Sequence, residues 1–379
     1  MTSPLRVPPT VVLACSVLCG LLHAPAGTAL ESIEITASRL ERGQPQLPVA
    51  RIERTTIDLL QPSNVTDLLR LLPGIDVTQA GGRGGITQVS VRGGEPNFTL
   101  VLLDGVPVND PTNSRGGGFD FNLLDPDMIE RIEVFRGGTS AIHGGDALNG
   151  VIHVYTRSAS ARPGGGMRIN GGAPRSTGGS FHAGGGAGRF AGNIAAAAGT
   201  RESDSSGVAA DTAQAIAGLS YTGTQLQLRA RLLHARSDAA FFPEDSGGKR
   251  RAVLRERTRS ESDQSLAALN ADYRAHARLA LRAGASWSRH QADEDNPGIV
   301  SGVLDGIPPN RIESTYERGR VNALAEWQAA PWLDVLTGFA YDHERGTNGG
   351  FVDVGFPLPV SFRLVRETLA VFSEAEARW

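Results

Sequence analysis

Side chains that could perform catalysis or bind a metal occur in the chain, but their spacing supports neither. The sequence contains no nucleophile elbow, no P-loop and no His-Glu-x-x-His motif, which are arrangements that position a nucleophile, a phosphate or a zinc ion. His143 and His153 are ten residues apart and have no third partner, which favours packing or hydrogen bonding over metal binding. We therefore expect no catalytic residue, no metal site and no enzymatic activity.

Aspartates in polar stretches, expected to be external loops, are the remaining candidates for a cation site. Clustered carboxylate oxygens can bind Ca²⁺, but these aspartates lack the regular spacing of an EF-hand loop. We expect solvated acids and no cofactor at Asp204, Asp211, Asp245, Asp293 and Asp295.

Composition narrows the class of protein. A chain of 379 residues exceeds the usual size of one domain, so at least two structural units are expected. The 47 glycines and 6% aromatic residues are atypical of a helical bundle. The net charge is -3 and the one basic run, residues 249–251, is short. No cationic face for nucleic acid is indicated, and we expect a monomer.

The first 29 residues resemble a secretory signal peptide. Arg6 precedes an apolar stretch at Val11–Leu22, and small residues follow up to Ala29. An uncleaved membrane anchor is the alternative, although the apolar stretch is short for a spanning helix. Both cysteines, Cys15 and Cys19, lie in this segment, so the exported protein would contain none.

A capped helix and a series of short strands follow. Ser63 or Asn64 can cap a helix whose apolar face is Val65, Leu68, Leu69 and Leu72, and which ends at Pro73-Gly74. Short β-rich segments separated by glycine predict strands at Ile75–Thr78, Gln88–Arg92, Thr99–Leu103, Val106–Asn109, Ile129–Phe135 and Val151–Thr156.

Beyond Pro163 the pattern changes to long strands with alternating apolar and polar residues, as at 226–232 and 278–288. A soluble sandwich also shows alternation. However, tight turns alternate with long polar excursions at Phe241–Ser262, Asp293–Glu313 and Gly346–Val360, which is typical of outer-membrane barrels. We count about ten strands, whereas large plugged transporters have about 22. We therefore expect an incomplete barrel; a complete small barrel ending at Trp379 is the alternative.

Five motifs in order connect these elements to a known family. They are Leu69–Val77, Val89–Gly93, Val101–Asn109, Ile129–Gly137 and Gly144–Ile152. This string resembles the plug domain of TonB-dependent outer-membrane receptors, closest to the cobalamin receptors. The resemblance implies a mainly β fold, in which an α+β plug domain lies inside an antiparallel outer-membrane β-barrel. The expected divisions are a signal peptide at 1–29, a TonB box and linker at 30–47, the plug at 48–160 and a partial barrel at 164–379.

The segment Glu31–Ala37 alternates apolar residues at Ile33, Ile35 and Ala37. It resembles the energy-coupling box of these receptors, although such a segment alone could be an ordinary amino-terminal tail. An unpaired strand can add to the sheet edge of a partner through its backbone. The resemblance thus implies that the TonB protein binds Ile33, Glu34, Ile35, Thr36 and Ala37.

Two further sets of site residues are implied by the resemblance. Arg92 and Arg136 each precede two glycines and would pair with carboxylates of the barrel lining, for which Glu374 and Glu376 are candidates. Pairing within the plug is the alternative. Gly-rich or polar loop tips would contact the substrate, and the candidates there, each of which could be ordinary loop surface, are Arg83, Asn97, Phe98, Asn113 and Arg115.

The function that the resemblance implies is energy-coupled uptake of a scarce, bulky solute across the outer membrane, where the protein would contact lipid. Cobalamin is slightly favoured over a ferric siderophore. The alternatives are a sensor that also regulates genes, a structural or adhesive β-protein, and a nonfunctional truncated receptor. Deleting residues 31–37 and measuring uptake distinguishes energy-coupled uptake from the adhesive protein, which has no use for an energy-coupling box.

Overall fold

The computed structural model describes residues 49–79, 87–112, 117–137, 145–173, 175–202, 208–242, 256–299 and 306–377. They form a small α+β domain followed by a ten-stranded antiparallel sheet. The predicted signal peptide and TonB box lie outside the described residues. No helix in the described part of the chain is long and apolar enough to cross a membrane.

The small domain, hereafter the plug, extends from Val49 to Thr156. Its helices and strands are β1 (Val49–Glu53), α1 (Arg54–Leu60), α2 (Val65–Leu69), β2 (Ile75–Gln79), β3 (Thr87–Val91), β4 (Thr99–Leu103), β5 (Val106–Pro107), β6 (Ile129–Arg136) and β7 (Gly150–Thr156). Five strands form one sheet in the order β1-β6-β7-β4-β5, in which only β4 and β7 are parallel, and β2 pairs with β3. The six predicted strands are confirmed to within two residues, whereas β1 and α1 were not predicted.

The helix α2 forms where its capping residue and apolar positions predict it. The Asn64 side chain accepts a hydrogen bond from the Asp67 backbone N–H at 2.8 Å, which satisfies one of the free donors of the first turn. Val65, Leu68 and Leu69 are buried. The chain then turns at Gly74, whose φ of +76° favours glycine.

The sheet that follows, hereafter the barrel sheet, pairs each strand only with its neighbours in sequence. Its ten strands are β8 (Gly164–Gly172), β9 (Ser176–Ala187), β10 (Phe190–Glu202), β11 (Ala209–Thr222), β12 (Leu226–Phe241), β13 (Thr258–His276), β14 (Leu279–Asn296), β15 (Asn310–Ala330), β16 (Leu333–Asp353) and β17 (Pro357–Ala377). The predicted fold class and number of barrel strands are therefore confirmed. β8 and β17 are the two edges, and the sheet is not closed within the described residues.

The two faces of the barrel sheet differ as the alternation predicts. On β12, Leu232 is 59% exposed on the outer face, while the adjacent Leu233 is 4% exposed and joins a core cluster that includes plug residues. The plug therefore packs against the inner face of the sheet.

One predicted excursion is wrong. Residues 346–360 do not form a long loop, because β16 continues to Asp353 and pairs with Pro357 of β17. Glycine is needed in this strand for close packing, because a Cβ on Gly350 would lie 1.9 Å from the Arg311 carbonyl oxygen. The other two excursions lie partly outside the described residues; the flanking strands end at Phe241 and Asn296 and begin again at Thr258 and Asn310.

Candidate functional site: the interface between plug and barrel sheet

An apolar turn of the plug lies at the centre of the interface. The 3₁₀ turn Phe121–Leu123 begins at Asp120, whose side chain accepts from the Asn122 backbone N–H at 3.0 Å. Phe121 and Leu123 are each 1% exposed, and they share a core cluster with residues of the inner face of the sheet, namely Ile216, Leu233 and Leu266. The Gln214 side chain also donates to the Leu123 carbonyl. Because the cluster is shared, the core of the plug is fully buried only where the plug packs against the inner face of the barrel sheet.

Asp104 connects the plug to β12. It has a φ of +50° in the β4–β5 turn, and its carboxylate accepts hydrogen bonds from the backbone N–H and hydroxyl of Thr156. The Arg231 Nε lies 3.2 Å from the same carboxylate, and the Arg231 guanidinium donates to the Arg157 carbonyl at 2.9 Å. Gly218 leaves room for this side chain, since a Cβ there would lie 2.7 Å from Arg231 Nη1.

A second connection joins the plug to the first strands of the sheet. The Arg168 guanidinium of β8 lies 2.8 Å from Asp127 and 3.3 Å from Asp58. The Ser180 hydroxyl of β9 donates to Asp127 at 2.6 Å. The hydrogen bond from Arg54 holds the pKa of Asp58 below its usual value. Both carboxylates therefore anchor this side of the plug to the barrel sheet.

Asp125 forms a third connection, with Arg201 of β10 at 3.5 Å. Its side chain also caps the 3₁₀ turn Pro126–Met128 by accepting from the Asp127 backbone N–H at 2.9 Å. Burial raises the pKa of this carboxyl group, because the charged form loses solvation that its polar partners only partly replace.

A fourth connection reaches the long strands β15 and β16. Asp146 of the plug lies 3.6 Å from the Arg318 guanidinium, which also pairs with the buried Glu344. Nearby, the Asn348 side chain donates to the Thr112 carbonyl at 3.1 Å. Gly346 permits this approach, because a Cβ there would lie 2.2 Å from the Thr112 methyl group.

The ion pairs between plug and sheet share one polarity. In each pair that the described residues form, the plug supplies the aspartate and the sheet supplies the arginine. The predicted interlock has the reverse polarity and uses Arg92 and Arg136. An interface role was not predicted for any of these aspartates; the signal for it in the sequence is the row of arginines on the polar face of the barrel strands.

The structure places Arg92 and Arg136 together beside the Pro73-Gly74 turn. Arg136 donates to the Pro73 carbonyl at 2.7 Å. Arg92 has a φ of +55°, and its backbone N–H donates to the Gly74 carbonyl at 2.8 Å. These contacts lie within the plug, and pairing of the two arginines with Glu374 or Glu376 stays a prediction.

Of the predicted substrate-binding residues, the structure describes Asn97 and Phe98, both in the 3₁₀ turn Pro96–Phe98. Phe98 is 37% exposed, and the Asn97 Oδ1 is buried without a hydrogen-bond donor among the described residues. Arg83, Asn113 and Arg115 lie outside the described residues. The binding roles of all five stay predictions.

The placement of three aspartates in external loops is wrong. Asp211 lies in β11, and Asp293 and Asp295 lie in β14; Asp293 pairs with Arg311 at 2.7 Å. Polar strand ends resemble loops in the sequence, because strands of a barrel can extend beyond the membrane with charged residues on both faces. Asp204 and Asp245 lie outside the described part. Within it, no group of three or more metal-binding side chains occurs.

The plug sheet also contains a buried charged cluster that was not predicted from the sequence. Glu133 is 1% exposed and lies 2.9 Å from Arg131 Nε and 3.3 Å from Arg51 Nε. Tyr155 donates to Glu133 at 3.1 Å and stacks on the buried His153. Burial and the nearby carboxylate raise the pKa of Tyr155. The cluster ties β1 to β6 and β7.

Comparison with known proteins extends this geometry. Residues 44–151 match the sequence profile of the TonB-dependent Receptor Plug Domain. The vitamin B12 transporter BtuB of Vibrio vulnificus (strain CMCP6) is 35% identical over 154 residues, which cover 40% of this chain and 25% of that protein. The matched stretch is therefore about a quarter of that relative's length.

Solved structures share the fold at low identity. The ferripyoverdine receptor of the outer membrane of Pseudomonas aeruginosa, bound to ferripyoverdine, has a TM-score of 0.73 and 16% identity, over 90% of this chain and 51% of that one. The ferric yersiniabactin uptake receptor FyuA of Yersinia pestis has a TM-score of 0.59 and 12% identity, over 87% and 62%. Residues 44–151 therefore match the plug-domain family, a stretch of the chain is similar to a vitamin B12 transporter, and the chain shares the fold of these solved outer-membrane receptors.

Proposed function

We propose that the protein takes part in energy-coupled uptake of a scarce, bulky solute across the outer membrane, and that it is a transport receptor and not an enzyme. The observation that carries this proposal is the interface: a plug that shares its apolar core with the barrel sheet and is joined to it by aspartate–arginine pairs. Such a plug blocks the inner face of the sheet, so a solute can pass only if the plug is remodelled.

The energy for this remodelling comes from the inner membrane, since the outer membrane has no nucleotide supply. The TonB protein binds Ile33–Ala37, and a pulling force then reaches β1, which within the described residues is an edge strand that pairs with β6. Substrate binds at the outer end of the plug, where Asn97 and Phe98 are candidates together with Arg83, Asn113 and Arg115.

The chemical class of the substrate is cobalamin, with a ferric siderophore as the second candidate. The sequence relative is a vitamin B12 transporter, whereas structural neighbours at low identity bind ferric chelates. Sequence identity of 35% over 154 residues favours the first. Growth of a strain lacking this gene, with cobalamin limiting or with single iron chelates as sole iron source, distinguishes the two.

The proposed coupling is tested by proline substitution in the box at the chromosomal locus. Strand addition uses backbone N–H groups, and proline removes one at each position. Ile33→Pro with Ile35→Pro should abolish uptake of radiolabelled cobalamin while surface binding continues. The matched control, Ile33→Val with Ile35→Val, keeps every backbone donor and should transport normally. Unchanged uptake by the proline variant would leave energy coupling without support.

A further inference from the structure

A depression occurs on the outer face of the barrel sheet, away from the plug. Small side chains lie side by side across three strands, with Ala283 opposite Ala323 and Ala325 opposite Thr337. They form the floor of a cavity of about 670 Å³. Its walls are the larger side chains Tyr273, Leu281, Phe339 and Val371. We call this the alanine basin.

The basin lies toward the rim of the sheet that has short turns. One pair nearer that rim, Leu279 is opposite Trp327, which is 50% exposed. The exposed Arg278 lies in the turn between β13 and β14, while the exposed Arg274 lies near the end of β13, opposite Ala280 on the face turned away from the basin. Among the described residues, neither arginine is paired with a carboxylate.

The surroundings of the basin indicate what fills it. The outer face around it is apolar and, in a barrel, contacts the acyl chains of lipids. A depression in a packed apolar surface loses contact energy unless it is filled, and a flexible methylene chain can fill it. Short turns lie at the periplasmic rim of outer-membrane barrels, so Arg278 stands at the headgroup level of the inner leaflet, where basic side chains attract anionic lipids.

We propose that the alanine basin and the adjacent turn bind one anionic phospholipid of the inner leaflet, with an acyl chain in the basin and the phosphate at Arg278. The site rests on the proposed membrane insertion of the sheet. It does not depend on substrate or on the energy-coupling box.

Native mass spectrometry of the full chain, inserted into nanodiscs, tests this site. The discs contain phosphatidylcholine alone or mixed with phosphatidylglycerol. Wild type should retain phosphatidylglycerol several-fold more than phosphatidylcholine. Ala283→Trp fills the basin and should abolish retention of both lipids, whereas Ala230→Trp, on the outer face of β12 outside the basin, should not.

The headgroup contact has its own variants. Arg278→Gln should remove the preference for phosphatidylglycerol while leaving some lipid retained. Arg189→Gln, at another short turn of the same rim, is the control and should keep the preference. Equal retention by Ala283→Trp and Ala230→Trp overturns the proposal, as does a wild type without headgroup preference.

Two other outcomes are also informative. A dimer that Ala283→Trp dissociates would assign the basin to a second copy of the chain and overturn the lipid site. Failure of the wild type to enter nanodiscs would contradict membrane insertion, and hence the proposed function as well. Insertion without retained lipid would overturn only the inference drawn from the basin.

Discussion

The plug and the barrel sheet are both mainly β, but they depend on different interactions. Plug strands have two to eight residues, and β4 and β7 are buried along their whole length. Barrel strands have nine to 21 residues, pair with sequence neighbours and expose one face. The plug is thus held by side chains from distant parts of the sequence, and the sheet by continuous backbone pairing. Single side-chain changes should therefore affect the plug more.

The largest expected effect tests this difference directly. Phe121→Ala removes a fully buried ring where plug and sheet share a core, and should lower the free energy of unfolding by about 3–5 kcal/mol. Leu232→Ala removes an apolar side chain that is 59% exposed on the outer face of the sheet. It should change the free energy of unfolding by no more than about 0.5 kcal/mol. Urea unfolding of the refolded chain measures both. Equal losses would contradict the proposed division.

The second test concerns the ion pairs that join the two regions. A double-mutant cycle with Asp104→Asn and Arg231→Met should give a coupling of about 0.5–3 kcal/mol. The reason is that the pair is largely buried, with exposed side-chain fractions of 14% and 15%, so water screens it little. Asparagine suits the positive φ of Asp104. Additive effects of the two changes would show that the pair does not join plug and sheet.

The sequence predicts most of the plug strands because motifs and turn residues mark them locally. Glycine at positive φ, as at Gly74 and Gly105, ends each segment at a definite residue. The barrel strands are equally predictable, because an apolar outer face imposes a period of two. In both regions, the residues that predict a strand lie in that strand or within a few positions of it in the sequence.

Features that depend on distant partners could not be predicted in this way. β1 is a strand only because it pairs with β6, some 80 residues later. The polarity of the interface depends on which aspartate faces which arginine, as for Asp146 and Arg318. Gly350 indicates a loop locally, although in the fold it fits against the Arg311 carbonyl. In each case the deciding contact lies far away in the sequence.

The third test compares two aspartates of the plug by their pH dependence. Burial raises the pKa of Asp125, so its contribution is fully present below the ordinary aspartate value and is lost as pH rises through the folded pKa. A hydrogen bond from Arg54 lowers the pKa of Asp58, so its contribution is present above the ordinary value and lost as pH falls through the folded pKa. The two carboxylates should therefore give opposite slopes.

The measurement is the free energy of unfolding between pH of about 7 and about 3, which brackets the ordinary aspartate pKa. On acidification, wild type should gain stability relative to Asp125→Asn and lose stability relative to Asp58→Asn. Asparagine can still cap the turn after position 125, so the comparison isolates the charge. Slopes of the same sign would show that burial against the sheet does not control Asp125.

The smallest expected effect concerns exposed ion pairs, whose strength should be the same in the plug and in the barrel sheet. Asp67 and Arg70 on α2 of the plug are 3.1 Å apart and 40% exposed. Arg236 and Glu261 on the outer face of the sheet are 3.0 Å apart and 52% and 55% exposed. Because water and salt screen both pairs, double-mutant cycles should give about 0.2–1 kcal/mol for each, decreasing in high salt. A coupling several-fold larger in the plug pair would mean that its location, and not its exposure, sets the strength of an ion pair.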